Sequence, residues 1–152
     1  MMNVVDQIMA VMDAAFEPQW GEKWTRGQIA DSLLIPGTDA IVIDGEGNDI
    51  TAMHGTAAGF ALSRHAAGEE ELLLIAVHPQ HRRKGLGRGL IEMLICHARA
   101  RRTTHIFLQM RSNNPATHLY EAVGFTRIGM RSAYYRTADG SRLDAITFAI
   151  SI

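Results

Sequence analysis

The sequence predicts a mixed α/β domain, and three observations lead there. Its 152 residues are the usual length of one domain and enough for a real hydrophobic core. Segments with helical spacing of apolar residues alternate with short strand-like runs, so strands fall before, between and after the helices. No repeat, linker or low-complexity stretch interrupts that order, and residues 1–152 read as a single domain.

Taken in order, residues 3–16 place Val4, Ile8, Val11, Met12 and Ala15 three and four apart, the stripe of an amphipathic helix. Its methionines are expected in the core. A second helix is expected from Thr25, a good N-cap, to the turn at Pro36-Gly37. AIVID (40–44) reads as a strand closed by the Gly- and Asp-rich turn DGEGNDI. AAGFALSRH (57–65) is the next strand, and HAAGEE (65–70) the turn behind it. LLLIAV (72–77) is a continuous apolar run, expected in mid-sheet with both faces buried.

The helical period returns from Leu86 to Ala100 through Leu86, Leu90, Met93, Leu94, Cys96 and His97, which assigns Cys96 to the core. Arg99, Arg101 and Arg102 gather where the helix dipole favours cations. HIFLQM (105–110) is a strand, and PATHLYEAV (115–123) a short helix with Pro115 in its first turn and Gly124 at its end. Strands at 125–135 and 143–150, joined by the turn TADGSR, complete the pattern.

Composition narrows the function. A hydrophobic fraction of 47% with 20% charged residues describes a soluble globular protein, and Asp, Arg, Gly or Pro interrupts every stretch that might span a bilayer. The first residues lack the features of a signal peptide, and a single cysteine, Cys96, makes a reducing cytoplasm the default. Net charge is −1, so nothing draws the whole molecule to nucleic acid or membrane. Yet four of its 15 basic residues, Arg82, Arg83, Lys84 and Arg88, crowd into HPQHRRKGLGRGL (78–90), which suits a small anionic ligand. His78 and His81 are too close and too poorly backed by other ligands for zinc, and no metal site is expected.

The crowded stretch links a strand to a helix. First-turn backbone N–H groups have no internal partner, the dipole is positive there, and glycines let an anion approach closely. Two phosphate motifs fail: a P-loop needs Lys-Ser/Thr after its glycines, and a dinucleotide fingerprint needs G-x-G-x-x-G, whereas Gly85, Gly87 and Gly89 alternate. The spacing present is Arg82-x-x-Gly85-x-Gly87, preceded by Val77-x-Pro79. It resembles the acetyl-coenzyme A loop of the GCN5-related N-acetyltransferase (GNAT) superfamily. Downstream, Asn113-x-x-Ala116-x-x-Leu119-Tyr120-x-x-x-Gly124-Phe125 resembles the second signature of that superfamily at full spacing. RSAYYRTADGSRLDAITFAI (131–150) resembles the bacterial ribosomal-protein alanine N-acetyltransferases within it.

The resemblance implies a mostly antiparallel, twisted central sheet flanked by helices, with acetyl-CoA as co-substrate. It implies that Ile75, Ala76 and Val77 bond the pantetheine arm and that amides of Gly85, Leu86 and Gly87, with Arg82, wrap the pyrophosphate. Arg83, Lys84 and Arg88 add attraction to the phosphates, and Asn113 contacts the arm. Acetyl would pass by direct attack in a ternary complex to a protein's N-terminal α-amine. Trp24, in a Trp20-x-x-x-Trp24 pair, and Tyr134 are the candidates for contacting that acceptor. A small-molecule amine as acceptor, and a catalytically silent acyl-CoA-binding module, stay open, as do monomer and dimer. No nucleic acid or membrane partner is expected.

Acetyl transfer needs a neutral amine, a donor for the developing oxyanion and a proton for the leaving thiolate. Tyr120, near the thioester sulfur in the family, is the candidate general acid, because a phenol is protonated at neutral pH. A strand-edge N–H near Val77 is the candidate oxyanion donor. The family's base is a glutamate in a segment like Leu-Glu-Val-Arg; here Leu108-Gln109-Met110-Arg111 puts an amide there, and the stretch to Tyr120 is one residue shorter. Either Glu71 or His118 serves through water, or little base is needed. About a tenth of an α-amine of pKa near 8 is neutral at pH 7, against roughly a few parts in ten thousand of a lysine. Gln109 thus favours a terminal amine.

Overall fold

The computed structural model describes residues 3–16 and 23–152. Helix starts are set by local chemistry. Asn3 caps α1 (Val4–Ala15) by accepting from the Val5 N–H, and Thr25 and Gln28 form a capping box on α2 (Arg26–Leu34). Met9 and Met12 are buried as expected. The remaining elements are β1 (Thr38–Ile43), β2 (Gly59–Ala66), β3 (Glu69–Val77), α3 (Leu86–Ala100), β4 (His105–Arg111), α4 (Thr117–Val123), β5 (Thr126–Arg136) and β6 (Arg142–Ser151). Trp20 lies outside the described residues.

One six-stranded sheet has the order β1-β2-β3-β4-β6-β5. Every pairing is antiparallel except β3 with β4, which α3 connects as a crossover. One apolar cluster joins α3, α4 and one sheet face through Leu90, Ile91, Leu94, Ile106, Leu108 and Phe148. The other joins α1 and α2 to the opposite face through Ile8, Met12, Ile29, Phe60 and Leu62.

Two expectations need correction. LLLIAV is not buried on both faces: Leu72 and Leu74 are buried, while Leu73 and Ile75–Val77 are only half-buried. The cause is topological. β3 and β4 pair only over Glu69–Glu71 with His105–Phe107, and further on the two strands part. Across β2, Leu62 faces Leu74 and Ser63 faces Leu72, so Leu73 is a bulge, and a bulge bends its strand. The result is a wedge open between neighbours. Cys96 is exposed, not core. The buried stripe of α3 is Leu86, Leu90, Ile91, Leu94, Ile95 and Ala98, and Cys96 lies about 200° of helical turn from Leu94.

The closed end of the wedge is clamped. Arg101, at the end of α3, reaches Asp39 at 3.2 Å and pairs with Glu70, whose side chain is fully buried and also accepts from Ser63.

Candidate active site

β3 leads through a single 3₁₀ turn at Pro79–His81 into the glycine-basic loop, and Gly85 is the residue before α3. Arg83 (φ +64°) and Gly85 (φ +77°) are both left-handed, and no side chain caps the first turn of α3. Its leading amides are therefore left without a capping partner, the condition for holding an anion. The three glycines differ. A Cβ at Gly87 would lie 3.1 Å from Leu119 Cδ2, whereas one at Gly85 or Gly89 would meet nothing within 4 Å. Arg88 pairs with Glu92 at 3.0 Å along the exposed face of α3, and Lys84 Nζ lies 3.2 Å from His81 Nδ1.

A cavity of about 580 Å³ opens beside this loop. Ile75, Ala76 and Val77 of β3, Arg82 and Gly87 of the loop and α3, and Asn113, Ala116, Leu119 and Tyr120 from the segment after β4 all line it. Arg82 donates to Val77 O at 3.4 Å and to Ala15 O at 3.3 Å, so it straps the end of β3 to the end of α1. Arg111, almost fully buried, donates to Asn113 Oδ1 at 2.8 Å and so orients that amide. Lining groups suit a ligand with both an anionic and an apolar part: Arg82 and the uncapped first turn of α3 for the one, Ile75, Val77 and Leu119 for the other.

A smaller cavity of about 80 Å³ occupies the wedge itself, between Leu72–Ile75 and Leu108–Met110. Tyr120 and Asn114 line both spaces, and Gln109 lines this one. Tyr120 is 4% exposed and rests edge-on against Phe125, with ring centroids 5.7 Å apart. Gln109 is opposite Thr147 in an unbroken β4–β6 register, so any shortening before Tyr120 falls after the strand. Its amide donates weakly, at 3.5 Å, to the Thr147 hydroxyl. Sequence reasoning missed Phe16, Asn114 and Arg111. Asn114 stands beside the signature asparagine, but Phe16 comes from the far end of α1 and only folding brings it here.

The other candidates stand apart. Trp24 is half-buried against the α1–α2 cluster, and His118 is exposed on α4. Tyr134 is 47% exposed on β5, stacked edge-on against Tyr135 at 5.2 Å with Arg131 over its ring, and lines neither cavity. A register shift between Arg131 and Tyr135, with Ala133 left-handed, breaks the strand alternation there. Glu71 is half-buried at the closed end of the wedge, where burial pushes its carboxyl above the ordinary glutamate value and Arg64 pulls the other way. Among the described residues no group of three or more His, Cys, Asp or Glu is placed to hold a metal.

The chain is similar to known proteins in sequence and in fold. The model of the acetyltransferase (GNAT) domain family matches residues 37–127. The ribosomal protein bS18-alanine N-acetyltransferase of Escherichia coli is 41% identical over 100 residues, covering 65% of this chain and 67% of that protein. Streptothricin acetyltransferase of Streptomyces lavendulae is 39% identical over 119 residues, 76% of this chain and 56% of that one. Among solved structures, the Escherichia coli ribosomal-protein-alanine N-acetyltransferase superposes with a TM-score of 0.80 at 30% identity, over 97% of this chain and 87% of that one.

Proposed function

The chain belongs to the GNAT acetyltransferase family and is an acetyl-CoA-dependent N-acetyltransferase, and we propose that its acceptor is the N-terminal α-amine of a protein, of the ribosomal-protein alanine type. The support is the 41% identity to an enzyme named for that acceptor. Gln109 fits the same reading. An amide at the wedge takes no proton, and an α-amine needs far less deprotonation than a lysine. The bacterial relatives modify a ribosomal protein, which supports the cytoplasm as the place of action.

The residues fit acetyl-CoA. Open space above left-handed Gly85, the uncapped first turn of α3 and Arg82 suit its pyrophosphate. The half-buried edge of β3 and the amide of Asn113 suit its arm. When bound, the cofactor supplies an acetyl group as a reactive thioester. Tyr120, which lines both cavities, would give the departing sulfur its proton, and the strand-edge N–H near Val77 would stabilise the developing oxyanion. Gln109 orients the incoming amine or a water beside it.

A second reading, a small-molecule amine as acceptor, has support in the 39% identity to streptothricin acetyltransferase. One assay separates the two. Pure protein is mixed with acetyl-CoA and either a short peptide beginning with alanine, the same peptide with a blocked terminus, or small amines, and free thiol is followed. Release with the free terminus alone supports the proposal; release with small amines and none with peptides overturns it.

A further inference from the structure

We infer that Glu71 selects among acceptors, its carboxylate pairing with a cationic side chain at the second or third residue of the acceptor chain. The inference rests on the acceptor being a protein N-terminus, as proposed above.

Position comes first. Glu71 is the last residue of β3 to pair with β4, opposite Phe107, just where the wedge begins to open. Its partner across β2 is Arg64, whose guanidinium reaches Ser32 of α2 at 2.8 Å. That pair therefore faces the α1–α2 side of the sheet, while neighbouring Glu70 turns to Arg101 on the α3 side. On β4, Leu108 and Met110 are buried in the α3 cluster, so Phe107 and Gln109 face the same side as Glu71. Because α1 and α2 pack on β1, β2 and β3, Phe107 and Gln109 stay half-exposed. An open strip of sheet thus runs from Gln109 over Phe107 to Glu71.

Distance comes second. Two strand residues span about 6.7 Å, and an extended chain advances about 3.4 Å per residue. An acceptor whose amine sits at Gln109 brings its second or third side chain beside Glu71. The same separation takes Glu71 out of direct hydrogen-bond reach of that amine.

Charge comes third. Among the described residues Glu71 makes no hydrogen bond and no close ion pair. Arg64, the cation that acts on it from the neighbouring strand, directs its Nε to Thr38 and an Nη2 hydrogen to Ser32 and makes no close ion pair with it. A half-buried carboxylate with no hydrogen-bonded counter-ion is incompletely compensated by Arg64, and a cationic ligand supplies the direct contact. Glu69, exposed on the same face two residues earlier, adds the same sign.

The test compares amidated peptides Ala-Ser-Ser, Ala-Arg-Ser, Ala-Ser-Arg and Ala-Glu-Ser as acceptors. The better arginine peptide is expected to exceed Ala-Ser-Ser in kcat/KM by about tenfold, as for a charge-assisted contact, and Ala-Glu-Ser to fall below it. Glu71→Gln brings the Arg/Ser ratio close to one, and Glu71→Lys inverts the Arg/Glu preference. Glu71→Gln keeps the side-chain shape and is expected to melt close to wild type, while Glu71→Lys, which sets a cation opposite Arg64, is judged only by the ratio of two peptides on the same folded protein. Equal rates across the peptides in the wild type, or an arginine preference that survives Glu71→Gln, overturn the inference and leave the proposed acceptor standing. Thiol release with small amines but with no peptide overturns both.

Discussion

Gln109 and Tyr120 line the same small space in the wedge, and the proposed chemistry divides between them. Tyr120→Phe removes the phenolic proton and keeps the ring that packs on Phe125, so kcat is expected to fall about 10²- to 10³-fold in steady-state assays. Gln109→Glu adds a base where the proposal puts the amine. It is expected to lower the pH at which kcat/KM rises, and an unchanged profile would remove position 109 from the reaction. Tyr120 was legible in the sequence because its signature binds residue types to a spacing. Phe16 and Arg111 were not: one arrives from another element, and the other is an ordinary strand residue until burial and Asn113 give it a partner. Trp24 and Tyr134 followed from resemblance, and each packs outside the two cavities.

At the scale of elements, three alternating glycines carry three different loads. Gly85 is left-handed at the entry to α3, so Gly85→Ala is expected to cost about 1 kcal/mol of stability. Gly87 lies against Leu119, where an added methyl crowds α4 and the cavity lining, so Gly87→Ala should weaken acetyl-CoA binding measured by calorimetry. Gly89 sits inside the helix with open space around it, and Gly89→Ala should stabilise the protein by about 0.5–1 kcal/mol in thermal melts. The turn between β5 and β6 carries a pH dependence. Hydrogen bonds from Thr137 and Ser141 pull Asp139 from the ordinary 3.8 down to about 2. A carboxyl held low stabilises its turn above its unfolded value and loses that effect as pH falls through the folded one. The Ser141 amide resonance should therefore move between about pH 4 and pH 2 and stay fixed above. Helix α3 and its caps were readable from period and end residues. The bulge at Leu73 was not, because a run of three leucines has no alternation to betray an extra residue.

For the whole molecule, the element order was legible and the pairing order was not. Periodicity names strands but does not say that β6 inserts between β4 and β5, or that β3 and β4 pair for three residues and then part. That parting makes the site, and the clamp at its closed end keeps it in place. Arg101→Ala leaves Glu70 buried without its cation, and breaking such a pair costs about 3–5 kcal/mol. A large drop in melting temperature is expected, whereas Arg102, exposed next door, should tolerate alanine. The proposed function uses the wedge in this way: cofactor on the α3 side, acceptor on the other, Tyr120 between. The most direct measurement offers the protein one peptide with both a free alanine terminus and an internal lysine, and locates the acetyl group by tandem mass spectrometry. Acetyl on the terminal amine alone is the expected result; acetyl on the lysine, or on neither amine while small amines are modified, would contradict it.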